Sequence, residues 1–181
     1  MERSFVSIAL FAALIAALGL IPKITLATGV PITAQSLGVM LCGTVLGARR
    51  GALAVLLFVA LVALGLPLLA GGRGGLGLFV SPTAGFLIGF PIAAFVAGWV
   101  TEKMRNIPVF WAASLGAALG GIVALYLPGI AGMALTLDKS FGEAAFLATP
   151  FLPGDAIKAV LAGSITATLM RARPESVLSR A

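Results

Sequence analysis

Apolar runs long enough to cross a lipid bilayer recur along almost the whole chain, and no other feature restricts its fold as severely. They fall at Phe5 to Ile21, Ala34 to Ala48, Gly51 to Leu69, Leu76 to Val100, Pro108 to Leu127 and Pro153 to Met170. A helix needs about 20 such residues to cross the hydrocarbon core, where every backbone N–H and C=O has to be paired inside the protein. Only helices and closed barrels meet that demand. Barrel strands alternate apolar and polar residues over about ten positions, whereas these runs are apolar throughout. The sequence therefore predicts an all-α integral membrane protein, a bundle of six transmembrane helices. Six spans with short connections use up the 181 residues as a single transmembrane domain, 1-181. Pro82 and Pro91 predict that the fourth helix is kinked or starts late, because proline lacks the amide hydrogen that a helix interior needs.

Composition closes off most other classes. Charged residues make up 10% of the chain, against roughly 25% in soluble domains. There is no histidine, and the single cysteine, Cys42, sits inside an apolar run. That excludes His-based triads, zinc and haem sites and any disulfide framework. With no paired-carboxylate metal motif and no nucleophile elbow either, an enzyme is not expected, and neither is a metal or cofactor. The net charge of +6 would suggest nucleic acid in a soluble protein, but here the basic residues are scattered between apolar segments. They report topology.

Alternating the spans puts eight basic residues on one side: Arg3, Arg49, Arg50, Lys103, Arg105, Arg171, Arg173 and Arg180. The other side receives Lys23, Arg73 and Lys139, and Lys158 falls within the last span. The positive-inside rule then makes both termini cytoplasmic. The outer connections, Pro22 to Thr33, Ala70 to Gly75 and Pro128 to Leu152, are rich in Gly, Pro and Thr, the material from which a ligand opening can be built. The first span is expected to be retained rather than cleaved. Its n-region, Met1 to Ser4, is almost neutral, and the apolar run exceeds a usual signal-peptide core.

In lipid, small residues at four-residue spacing mark where backbones approach. Gly43 with Gly47, Gly85 with Gly89, Gly116 with Gly120, and Ala159 with Gly163 fit that spacing, and compact packing explains them. In the first span Ala9, Ala13 and Ala17 form a flat stripe, with Ala12 and Ala16 beside it. Such a face accepts a helix of the same chain or of another subunit, and the spacing does not choose.

An ionisable residue at membrane depth is costly and therefore a functional candidate. Asp155 and Lys158 lie just after Pro153 and Gly154, which open the sixth helix, and their three-residue offset puts them on one face. Two readings stand. Asp155 caps the helix and Lys158 neutralises it, or the pair receives a small ligand that carries hydrogen-bond donors and an anionic group. Gly71, Gly72, Arg73, Gly74 and Gly75, followed by Ser81-Pro82-Thr83-Ala84-Gly85-Phe86, form either a flexible hairpin or a nest of backbone N–H groups. Neither glycine run ends in Lys-Ser or Lys-Thr, so this is no nucleotide loop. Thr33, Gln35 and Ser36 open the second span, as helix caps or as lining of the same outer cavity.

Four segments in order resemble one family: Pro31-Ile32-Thr33-Ala34-Gln35-Ser36-Leu37-Gly38, the glycine loop at 71 to 75, Ser81 through Gly89, and Leu152-Pro153-Gly154-Asp155 with Lys158. They are similar to BioY, the biotin-binding S component of energy-coupling-factor (ECF) vitamin transporters, over essentially the whole chain. The resemblance implies capture of biotin from the outer face of the bacterial cytoplasmic (inner) membrane, under the loop after the first helix. It implies a partner module of a transmembrane T subunit and two ATPases, ATP being used only there. Asp155 and Lys158 would then be the ligand-site acid and base, with Thr33, Gln35, Ser36, Arg73, Gly74, Gly75, Thr83 and Phe86 around the pocket. Ala9, Ala13 and Ala17 would be the docking face for the T subunit. Transport of another small vitamin, a non-transport membrane subunit and a homo-oligomer stay open from the sequence.

Overall fold

The computed structural model describes residues 2–25 and 31–180. They form six helical stretches: α1 (Glu2–Leu18), α2 (Gln35–Leu46), α3 (Ala48–Ala63), α4 (Ala84–Lys103), α5 (Val109–Leu137) and α6 (Phe141–Ala172). The three last are long and apolar enough to cross a membrane. Between α1 and α2 lies a short antiparallel pair, β1 (Ile24–Thr25) and β2 (Pro31–Ile32), with Ile24 opposite Ile32. It narrows the connection expected over Pro22 to Thr33, whose central residues 26–30 lie outside the described ones.

At about 1.5 Å per residue α2 is too short to cross a bilayer core alone, and nearly all of its residues are buried. It is an inner helix, reversed into α3 by Gly47 alone. That residue has φ 86°, a left-handed value that side chains resist. α4 is the central element, packed against α2, α3 and α5. At Gly43 and Gly98 the backbones of α2, α3 and α4 approach so closely that an added Cβ would collide with Ala94 and with the Gly47–Ala48 linkage. Gly116 and Gly120 do the same for α5 against Ala93 and Ala97 of α4. Apolar contact with lipid and with protein are nearly equivalent, so this loss of side-chain bulk is what brings helices together.

Two departures from the sequence expectation matter for the site. The connection expected at Pro128 to Leu152 is largely helical: α5 runs through Pro128 to Leu137, and α6 already begins at Phe141. Pro128 cannot donate to the carbonyl one turn back, and wider π-type turns at Leu119–Ala124 precede it, so the helix adapts instead of ending. The start of α6 is set by a capping box, in which Ser140 accepts from the Glu143 amide and the Glu143 carboxylate accepts from the Ser140 amide. A 3-10 turn at Thr149–Phe151 then leads into the straight part of α6 from Leu152 onward. α4 starts late, at Ala84, in line with the position of Pro82, after a 3-10 turn at Leu76–Val80 and the Ser81-Pro82-Thr83 corner.

At the opposite end the C-terminal turns fold back beneath the bundle. Val177 and Ser179 are fully buried, the Ser179 hydroxyl donates to the Thr44 carbonyl, and Arg180 donates to Met104 and Ile107.

Candidate ligand site

The polar centre of the molecule is built by three helices that the sequence keeps far apart. Asp155, in the first turn of the straight part of α6, is 6% exposed. Its Oδ1 accepts from Lys158 Nζ at 2.9 Å and from Ser36 Oγ of α2 at 3.1 Å, and its Oδ2 accepts from Tyr126 Oη of α5 at 2.9 Å. Lys158 Nζ also donates to Ser36 Oγ at 2.9 Å. The carboxyl group is thus satisfied by three donors, which is what lets it persist in an apolar bundle. Asp155 pairs with Lys158 as the cap reading required, but it makes no cap hydrogen bond among the described residues. That reading does not account for Tyr126 and Ser36, which come from other helices to the same carboxylate.

Ser36, Asp155 and Lys158 form part of the wall of a cavity. Thr33, Gln35, Ser36, Arg73, Thr83, Phe86, Asp155 and Lys158 all line it, so eight of the residues singled out from sequence converge on one space. The remaining walls are apolar: Ile32, Leu69, Leu87, Phe90, Leu125 and Phe151. Phe86 meets the Tyr126 ring edge-on at 6.0 Å and leans on Phe151 at 5.9 Å. Gly129 makes room for that ring, because a Cβ there would strike it. An aromatic wall beside a charged pair suits a compact ligand with an apolar body and a polar edge.

Not every expected residue faces the cavity in the same way. Gln35 commits its amide to the frame. Nε2 donates to the carbonyls of Ile15 and Leu68, and Oε1 accepts from the Ala70 amide, tying α1, α2 and the 68–70 segment together. Gly74 and Gly75 are outside the lining. Gly74 packs against the Leu66 carbonyl, where any side chain would clash, and the Gly75 amide donates to Val62. The glycine loop is therefore a turn that carries Arg73. Leu69 and Arg73 exchange backbone hydrogen bonds across it, Gly71 and Gly72 take positive φ, and Arg73 Nε reaches back to the Ala70 carbonyl. Partial burial pulls the Arg73 guanidinium below its ordinary pKa, though guanidinium remains charged in proteins.

Ala9, Ala13 and Ala17 are exposed on the outer side of α1, while Ala12 and Ile15 on its other side are buried in the core. The stripe is thus not used by this chain's own packing. Among the described residues no group of acidic, Cys or His side chains could hold a metal.

The BioY family profile matches residues 2–175. This chain belongs to the BioY family. The biotin transporter BioY of Rhodobacter capsulatus is 54% identical over 189 residues, covering 99% of this chain and all of that protein. The biotin transporter BioY of Rhizobium etli is 51% identical over 182 residues, 95% of each chain. Among solved structures, the S-component for biotin from an ECF-type ABC transporter superposes with a TM-score of 0.88 at 28% identity, over 94% of this chain and 92% of that one. BioY is a transporter family rather than an enzyme family, and this member is an all-helical membrane protein.

Sequence reading of this BioY chain missed Tyr126, and with it Phe151 and Phe90. One signal for Tyr126 was available: it is the only tyrosine of the chain, standing in an otherwise apolar run. A lone phenol at membrane depth has to find an acceptor, and Asp155 is the buried carboxylate within reach.

Proposed function

We propose that this chain is the biotin-binding S component of an ECF-type transporter. It captures biotin from the outer face of the bacterial cytoplasmic (inner) membrane and delivers it inward with a T subunit and two ATPases. The observation that carries the reading is the Asp155–Lys158–Ser36 cluster, braced by Tyr126, in the wall of a largely apolar cavity, in a chain of this family.

The chemistry matches biotin at both ends. Lys158 Nζ and Asp155 Oδ1 are 2.9 Å apart, so they offer a donor and an acceptor side by side. A ureido ring presents the complementary pair, an N–H beside a C=O. A carboxylate has roughly four acceptor directions, and Asp155 uses three, leaving one on Oδ2 for a ureido N–H. An ammonium carries three N–H groups, two of which Lys158 directs to Asp155 and Ser36, which leaves one for the ureido oxygen. The thiophane ring and valeryl chain then pack on Phe86, Phe90 and Phe151. Arg73, on its turn at the cavity rim, meets the carboxylate.

Closure comes from the connection between α1 and α2, anchored at Ile32 and Thr33 in the cavity wall. Inward release is coupled to the T subunit docked on the exposed Ala9, Ala13 and Ala17 stripe, with both termini in the cytoplasm as the eight-to-three distribution of basic residues supports. The chain itself needs no cofactor, biotin being cargo. Calorimetric titration of the purified chain with biotin, beside thiamine, Asp155→Asn and Lys158→Ala, tests the site. Tight biotin binding that both variants lose while their thermal unfolding stays cooperative supports the reading. No heat with biotin from folded protein overturns it.

A further inference from the structure

Far from the cavity, where α2 turns into α3 beside the last turns of α4, an open groove is lined by Arg49, Arg50, Lys103, Trp99 and Phe95 over a floor of Leu46 and Ala48. Its electrostatics are lopsided. The three basic side chains are exposed and form no ion pair or side-chain hydrogen bond among the described residues. The single acid nearby, Glu102, accepts from the Ala48 amide at 2.9 Å and so already serves the start of α3. Two or more positive charges remain without an answering anion inside the protein.

The groove also continues into an apolar track. On α4, Ile88, Ile92, Phe95 and Trp99 are 53%, 47%, 44% and 49% exposed, at spacings of four, three and four residues, so they form one outward stripe ending at the basic cluster. On α3, Leu53 and Leu57 point outward one and two turns beyond Arg49 and Arg50. An occupant that satisfies both parts has an anionic head and a long apolar tail, and lies along the helices. Tryptophan at this level is the residue that favours the boundary between headgroups and acyl chains.

We propose that this groove is a binding site for one anionic phospholipid of the leaflet on the basic side, its phosphate held by Arg49, Arg50 and Lys103 and an acyl chain laid along the α4 stripe. The proposal rests on the chain lying in a bilayer and is independent of which vitamin it carries. It differs from a general attraction of basic residues to an acidic surface. It requires these three cations and this groove, and not the equally exposed Arg171 and Arg173 at the end of α6.

The test is native mass spectrometry of the full chain released from nanodiscs of mixed phosphatidylglycerol and phosphatidylcholine, with biotin titration of the same samples. The wild-type chain is expected to retain one phosphatidylglycerol in preference to phosphatidylcholine. The R49Q/R50Q/K103Q variant loses that preference by about a hundredfold, since each basic group near an anionic surface contributes about a fivefold factor. W99A weakens retention of lipid without changing the charge. R171Q/R173Q leaves retention unchanged, and biotin affinity is the same in all of them. Equal loss in the two charge variants, or no preference in the wild type, overturns the proposal. Displacement of the lipid by millimolar inorganic phosphate also overturns it, by making the site one for free phosphate.

Discussion

The two ends of the bundle differ in what their close helix contacts enclose. At the end away from the cavity, Gly43, Gly98, Gly116 and Gly120 let α2, α4 and α5 meet backbone to backbone, and the polar side chains there bond within the protein. Thr166 donates to Thr44, the Ser179 hydroxyl to the Thr44 carbonyl, and the Thr101 hydroxyl to Ala97 one turn back. At the cavity end α4 and α5 also meet backbone to backbone, at Gly85, Pro128 and Gly132, but Phe86, Phe90 and Phe151 line an open space beside that contact and the helix starts are irregular, with 3-10 turns before α4 and within α6. Irregular backbone is tolerated at membrane depth where it borders a cavity. The comparison teaches that small residues join the helices at both ends, while aromatic rings and a buried ion pair line the space left at one of them.

If that division holds, substitutions at the two ends separate binding from stability. The largest effect is expected from Asp155→Ala, which removes the acceptor of three donors and leaves Lys158 without its counter-ion. Biotin affinity falls by about three orders of magnitude, and the fold loses about 3 kcal/mol. Calorimetry and thermal unfolding of one preparation measure both. Gly98→Val is expected to do the reverse, lowering stability by about 3 kcal/mol through overpacking against Gly47 and Ala48, while the folded fraction binds biotin as before. Weaker binding by that folded fraction would show that the base and the cavity are not separable.

Lys158→Ala comes next, with affinity down by roughly thirtyfold from the loss of a charged donor to ligand and to Ser36. Tyr126→Phe keeps the ring edge-on to Phe86 but removes the hydroxyl from Asp155. The affinity should drop about five- to tenfold, with unfolding close to wild type. The smallest effect belongs to Thr44→Val, about 0.6 kcal/mol of stability and no change in biotin titration, because polar contacts between membrane helices are individually weak.

How much of this was legible in the sequence varies with range. The helical class follows from hydropathy because lipid leaves a backbone no other way to pair its amides. The extension of α5 through Pro128 was not legible, since proline reads as a boundary and only the preceding π turns let the helix pass it. The early start of α6 had its signal in Ser140 and Glu143, a Ser-x-x-Glu capping pattern hidden in what read as a loop. In the site, Asp155 and Lys158 stood out because charge in an apolar run needs a reason. Gln35 looked like a ligand residue, yet its amide is committed to Ile15, Leu68 and Ala70, partners that no local pattern reveals.

By itself the sequence determined the class of solvent the chain lives in, the number of its helices and the presence of a buried acid and base on one face. These are properties of composition and of spacing within a few turns. Only the tertiary structure decided that Ser36, 119 residues away from Asp155, and Tyr126, 29 residues away, bind that one carboxylate. The glycine loop likewise became a turn that presents Arg73 only through its packing against Leu66 and Val62. The physical reason is that a hydrogen bond in a dry bundle is set by which helices are pressed together. That choice is made by small residues and aromatic rings at many positions at once.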